Sequence, residues 1–166
     1  AGWDRRSAFP GITHGEGSGW VVWEWAWLDD ECPLLQDEAR RAIELLPIEK
    51  WREKALTEGN RERGLHALLA FVRARNSDQK EALKSLAKFS WDVLEYDEYR
   101  LLKLRVLEVS FARQGRPSAE VGKALVEELS REYPAKGGGP EAARLNRELS
   151  RRLSWLTKPE QGERTA

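Results

Sequence analysis

The sequence predicts an all-α fold, an array of stacked antiparallel helix pairs, and three observations carry that expectation. Between Leu35 and Leu156, apolar residues recur at helical spacing in six runs of about three turns, each closed by a short polar break. No segment in that range alternates convincingly as a strand. Two of the runs, Arg61 to Arg75 and Asp97 to Gln114, are apolar on two sides, as a helix clasped between two neighbours must be.

Residues 1 to 27 form an irregular or strand-like lead-in. Pro10, Gly11, Gly15, Gly17 and Gly19 favour turns over periodic structure in its first part. From Trp20 to Leu28 the indoles at 23, 25 and 27 alternate with Val22, Glu24 and Ala26, which suits a strand. A short helix with Trp20, Trp23 and Trp27 on one side fits the same residues.

The helical domain is expected over 28–158. Pro33 suits a first helical turn, and Leu35, Ala39, Ala42 and Leu46 follow on one face until Pro47 stops the run. A shorter helix restarts with Ile48, Trp51 and Ala55 and ends near Gly59-Asn60. The next carries a bulky stripe, Leu65, Leu68, Leu69 and Val72, and a second stripe of small residues, Ala67, Ala70 and Ala74. Asn76-Ser77-Asp78 offers capping oxygens for a helix from Gln79 to Phe89 with Leu83, Leu86 and Ala87 inward.

The third pair opens with Asp97 to Gln114. There Tyr99, Leu102, Val106 and Val109 form one stripe and Leu104, Leu107 and Phe111 another, with Arg100, Lys103, Arg105 and Glu108 between them. Gly115 is a natural stop, since it takes a positive φ without a Cβ penalty. Arg116-Pro117-Ser118 then leads into a helix carrying Val121, Leu125, Leu129 and Tyr133. Pro134 and Gly137 to Gly139 make a loop, Pro140 starts a last helix with Ala142, Leu145, Leu149, Leu153 and Leu156, and 159–166 form a disordered polar tail. The expected core is Leu65, Leu68, Leu69, Val72, Leu102, Val106, Val109 and Leu149.

Composition narrows the function. Among 166 residues, 28 basic side chains balance 28 acidic ones, so no excess field draws the chain to nucleic acid or anionic lipid. No apolar run approaches the roughly 20 residues of a membrane span, and no secretory signal precedes Trp20. The chain begins at Ala1 and has no methionine, which reads as a fragment of a larger protein. The single cysteine, Cys32, excludes an internal disulfide and any multi-cysteine metal site.

Convergent chemistry is absent from the pattern. His14 and His66 lack the companions of a metal or acid–base motif. Asp29-Asp30-Glu31 lacks the spaced ligands of a calcium loop and reads as an acidic cluster favourable at a helix start. Gly137-Gly138-Gly139-Pro140 has no preceding strand and no Lys-Ser/Thr after it, so it reads as a connection rather than a phosphate loop. No catalytic, cofactor-binding or metal-binding residue is assigned. The candidate interaction surface is Trp20, Trp23, Trp25 and Trp27, with an end cap on the first helix pair as the competing reading. Trp51, Trp91 and Trp155 read as core or boundary anchors.

Several motifs carry a family resemblance. Ala39-Arg40-Arg41-Ala42-Ile43-Glu44-Leu45-Leu46-Pro47, Trp51-Arg52-Glu53-Lys54-Ala55-Leu56 and His66-Ala67-Leu68-Leu69-Ala70 come first. Leu101 to Phe111 with Gly115-Arg116-Pro117, Tyr133-Pro134-Ala135 and Leu145-Asn146-Arg147-Glu148-Leu149 follow in order. Together they resemble the HEAT-repeat region of large multidomain bacterial proteins typical of planctomycetes, over residues 28 to 158. In that family the repeats commonly lie beside a propeller-like domain of membrane-bound or sugar-dehydrogenase type, with a c-type haem domain elsewhere. The resemblance therefore implies an α-solenoid of HEAT type, a scaffold role and an extracytoplasmic or periplasmic setting. The haem motif CxxCH is absent, because Pro33 and Leu34 follow Cys32.

The function expected is a non-catalytic helical-repeat scaffold or protein-interaction module, without cofactor, whose partner is a protein or a neighbouring domain. Neither nucleic-acid binding nor membrane insertion is expected. Two alternatives stand beside it: a HEAT-like DNA-binding enzyme of glycosylase type, which would use Trp91-Asp92 and the indole cluster, and an accessory domain of a fused sugar dehydrogenase or cytochrome.

Overall fold

The computed structural model describes residues 24–158, and seven α-helices lie wholly within them: α1 (Pro33–Glu44), α2 (Arg52–Thr57), α3 (Arg61–Arg73), α4 (Gln79–Leu86), α5 (Asp97–Gln114), α6 (Ala119–Glu132) and α7 (Pro140–Thr157). Five of the seven helix starts fall where the sequence supplies a capping side chain or a first-turn proline, and those of α2 and α5 do not. No strand occurs among the described residues. Asn60 accepts from the backbone N–H groups of Glu62 and Arg63, each at 3.0 Å, and starts α3. Asp78 does the same for α4 through Glu81, and Ser118 for α6 through Val121. Pro33 and Pro140 occupy first turns, where a missing N–H costs nothing. Gly115 ends α5 at φ 78°, a conformation that penalises a Cβ.

Residues 24–26 are helical and continue into a 3₁₀ turn, Trp27–Asp29. Over its described part the indole segment is therefore helical rather than strand-like. A second 3₁₀ turn, Ile48–Lys50, leads into α2. The lead-in before residue 24 and the tail over 159–166 lie outside the described residues.

The helices sort into two sets. α1 packs on α3, α3 on α5, and α5 on α7, while α2 packs on α3 and α4, α4 on α3 and α5, and α6 on α7. Within the first set the helices run parallel, as their cross-contacts show. Gln36 and Glu62 meet at the starts of α1 and α3, and Glu44 and Arg73 at their ends. Tyr99 meets Glu62 at the starts of α5 and α3, whereas Phe111 stacks on Trp155 at 4.7 Å near the ends of α5 and α7. α2 and α4 are likewise parallel, through Arg52 with Glu81 and the Leu56 carbonyl with Ser85 and Lys88.

One apolar core runs through these contacts from Trp25 to Leu149. α3 lies at its centre, and Leu65, Ala67, Leu68, Leu69, Ala70, Phe71 and Val72 are all buried. Of the expected core, Leu65, Leu68, Leu69, Val72, Val106 and Leu149 are buried, while Leu102 and Val109 are only partly so. On α5 the buried set is instead Lys103, Leu104, Val106, Leu107, Ser110 and Phe111, because Lys103 finds partners inside. Three further expectations shift. Ile43 joins Ala39 in the buried line of α1, Ala87 is exposed because α4 ends at Leu86, and Tyr133 lies beyond α6 at 45% exposure.

Candidate interaction groove

Because α1, α3 and α5 are parallel, their C-terminal turns lie along one edge of the layer. Each has an arginine in its last turn, Arg41, Arg73 and Arg113, where the negative end of the helix dipole favours a cation. Between these ends and the Leu45–Glu49 connection opens a groove of about 1080 Å³. Its apolar walls are Ala42, Leu45, Leu46, Pro47, Ile48 and Ala74, and Arg41, Arg73, Arg75 and Arg113 line it beside Glu38, Glu44 and Glu49. Leu45 is 87% exposed, the most exposed large apolar side chain among the described residues.

The arginines differ in what they hold. Arg41 pairs with Glu38 at 3.0 Å, and Arg73 with Glu44 at 3.1 Å. Burial raises the Glu44 pKa, against the opposing pull of Arg73, Arg40 and Arg113. Arg75 and Arg113 have no ion-pair or hydrogen-bond partner among the described residues. Two guanidinium groups without an ion-pair or hydrogen-bond partner among the described residues thus share a groove with an exposed leucine, an arrangement suited to carboxylates beside an apolar anchor.

A second polar cluster ties the N-terminal ends of the same helices together. Glu62 of α3 accepts from Gln36 of α1 at 2.6 Å and from the Tyr99 hydroxyl of α5 at 2.9 Å. Arg61 lies over the Tyr96 and Tyr99 rings, at 5.5 and 4.9 Å. Burial, and then the bond to Glu62, raises the Tyr99 pKa. One turn along α3, burial lowers the His66 pKa, Arg40 adds to the effect, and Glu62 and Asp37 oppose it. Its Nδ1 is buried without a hydrogen-bond partner. These bonds close on one another across three helices, and a base in a reaction would need an orienting partner that His66 lacks.

The tryptophan candidates divide. Trp25 is 2% exposed, donates through Nε1 to Glu58 Oε2 at 2.8 Å, and lies beneath Lys54 Nζ at 4.8 Å. It packs into the first helices and offers no side-chain surface to a partner. Trp27 is partly buried against the core, and Trp20 and Trp23 lie outside the described residues, as does His14. Burial pushes the Glu58 pKa upward, but the hydrogen bonds from Trp25 and the Asn60 backbone, with Arg63 nearby, outweigh it and the net direction is down.

The remaining sequence motifs are engaged locally. Asp29 pairs with Arg63 at 3.3 Å and Asp30 accepts from the Cys32 N–H at 2.8 Å. No group of three His, Cys, Asp or Glu suited to a metal occurs among the described residues. Trp91 is 5% exposed with Lys103 over its ring, while the neighbouring Asp92 points outward. Among the described residues no helix is long and apolar enough to cross a membrane.

The groove was not legible in the sequence as a site. Its signals were an arginine in the last turn of alternate helices and Leu45 off the apolar face, and neither is distinctive until the helices are laid side by side. Comparison with protein-family models, curated proteins and solved structures gives no match.

Proposed function

We propose that the chain is an α-solenoid of HEAT-like antiparallel helix pairs and serves as a non-catalytic protein-interaction module. Its ligand is an acidic, apolar-anchored segment of a partner polypeptide, received in the groove at the ends of α1, α3 and α5. The observation that carries this reading is Leu45, 87% exposed in a groove lined by Arg75 and Arg113, neither paired among the described residues. An apolar side chain covering Leu45 would gain burial energy, and carboxylates at the arginines would select against basic segments. The alternation of parallel helices supports the solenoid reading, since each added pair extends the same layer.

A labelled amphipathic peptide of leucine and glutamate, titrated by fluorescence anisotropy, tests the proposal against a leucine–lysine peptide of equal length. Saturable binding of the acidic peptide alone is expected, weakened by salt and by Arg113→Glu or Leu45→Ser. Equal binding of both peptides, or none, rules the groove out. Retention on duplex DNA that is lost steeply with salt would favour the nucleic-acid alternative.

A further inference from the structure

The zero net charge conceals a gradient along the array. Residues 24–60 carry 10 acidic and 5 basic side chains, residues 61–100 carry 7 and 8, and residues 101–158 carry 7 and 12. Since α1, α3, α5 and α7 touch in that order, the sequence gradient becomes a spatial one. The first helices form an acidic end and the last a basic end.

At the basic end, α7 is the last helix of the layer among the described residues. α7 contacts α5 and α6, and on its exposed residues Arg144, Arg147 and Arg151 follow at helical spacing. Arg151 pairs with Glu148 at 2.9 Å. Arg144 and Arg147 have no partner among the described residues. At the acidic end, α1 exposes Leu34 at 75%, with Glu31 one turn before it. Glu31, Glu49 and Glu53 are exposed and their carboxylates are likewise unpaired among the described residues.

We infer that the α1 end of one copy docks on the α7 end of another, continuing the layer head to tail. Opposite charge at the two ends steers this encounter and penalises the head-to-head and tail-to-tail arrangements, in which like charges face each other. Leu34 supplies the apolar contact that exposed charge pairs alone do not. A contact between two different faces of one chain is heterologous, so it grows into rings or open chains rather than closing as a dimer. This inference does not rest on the peptide groove: of the residues it names only Glu49 borders that groove, and Leu34, Glu31, Glu53, Arg144 and Arg147 do not.

Sedimentation velocity on the full chain tests it. At low salt the average mass should rise above the monomer with concentration, and in high salt it should fall back, because exposed charges are screened. The pair Arg144→Glu/Arg147→Glu and the pair Glu31→Lys/Glu53→Lys should each be monomeric while keeping the native circular dichroism spectrum. Mixed in equal amounts, they should associate again into rings or chains in which the two variants alternate, since each now has two like ends complementary to both ends of the other. A monomeric natural chain at low salt overturns the inference. So does self-association that survives either charge reversal, and so does a mixture that stays monomeric.

Discussion

Lys103 of α5, 1% exposed, places its ammonium against the Glu128 carboxylate of α6, whose side chain is 28% exposed. The same ammonium donates to the Phe89 carbonyl at 2.9 Å and lies 5.5 Å from the Trp91 ring centroid. A charge this deep is tolerated only because its donors are satisfied. One lysine thereby joins α6 and the 88–96 connection to the central layer.

Removing the acid alone should therefore cost more than removing the pair. Glu128→Ala should lose about 3 kcal/mol, since an unpaired charge stays buried. Lys103→Met/Glu128→Leu should lose less than that single variant. Urea denaturation of the single and double variants checks this, and a double variant as unstable as Glu128→Ala would count against it.

Gly64 of α3 has no room for a side chain. A Cβ there would fall 2.3 Å from Cζ of Phe89, which is 3% exposed. Gly64→Ala should destabilise by about 1–3 kcal/mol through overpacking, despite alanine's better helix propensity. Phe89→Leu in that background should recover part of the loss, whereas in the natural chain it should only destabilise. Thermal melts of the three variants distinguish the outcomes.

On α5, neighbouring leucines should differ. Leu104 is fully buried and Leu102 only packs partly against the core. Leu104→Ala should cost about 2–5 kcal/mol, and Leu102→Ala distinctly less. Equal losses in denaturant midpoint would mean that the burial pattern of this helix is misassigned.

Acid should weaken the fold through His66. Burial, then Arg40, holds its pKa below the ordinary value of 6.5. As pH falls through 6.5 towards the folded pKa, the unfolded chain takes up a proton that the native chain does not, so unfolding becomes easier. Above 6.5 the imidazole is neutral in both states and contributes no such slope. His66→Gln should flatten the loss of stability between pH 7.5 and 5.5 relative to the natural chain. Glu44, raised by burial, slopes the opposite way at lower pH, and so cannot imitate the effect. Parallel stability curves for the two proteins would exclude His66 as the source.

The helical content was written in the sequence because caps and spacing are local. Asn60, Asp78, Ser118, Pro33, Pro140 and Gly115 act within a turn or two of themselves, and each sits at the boundary it predicts. The all-round burial of α3 was legible as well, from its paired stripes of large and small residues. What spacing could not rank was the fate of side chains that depend on partners distant in the chain. Lys103 is core because the Glu128 carboxylate and the Phe89 carbonyl accept hydrogen bonds from its ammonium, Gly64 is required by a ring 25 positions away, and Trp25 is buried because Glu58 accepts its indole N–H. The groove belongs to the same class. Arg75, Arg113 and Leu45 are ordinary surface residues until parallel packing brings three helix ends to one edge. Local chemistry thus determined which segments are helices, while tertiary contact decided which charges are buried, which glycine is indispensable and which face is left open.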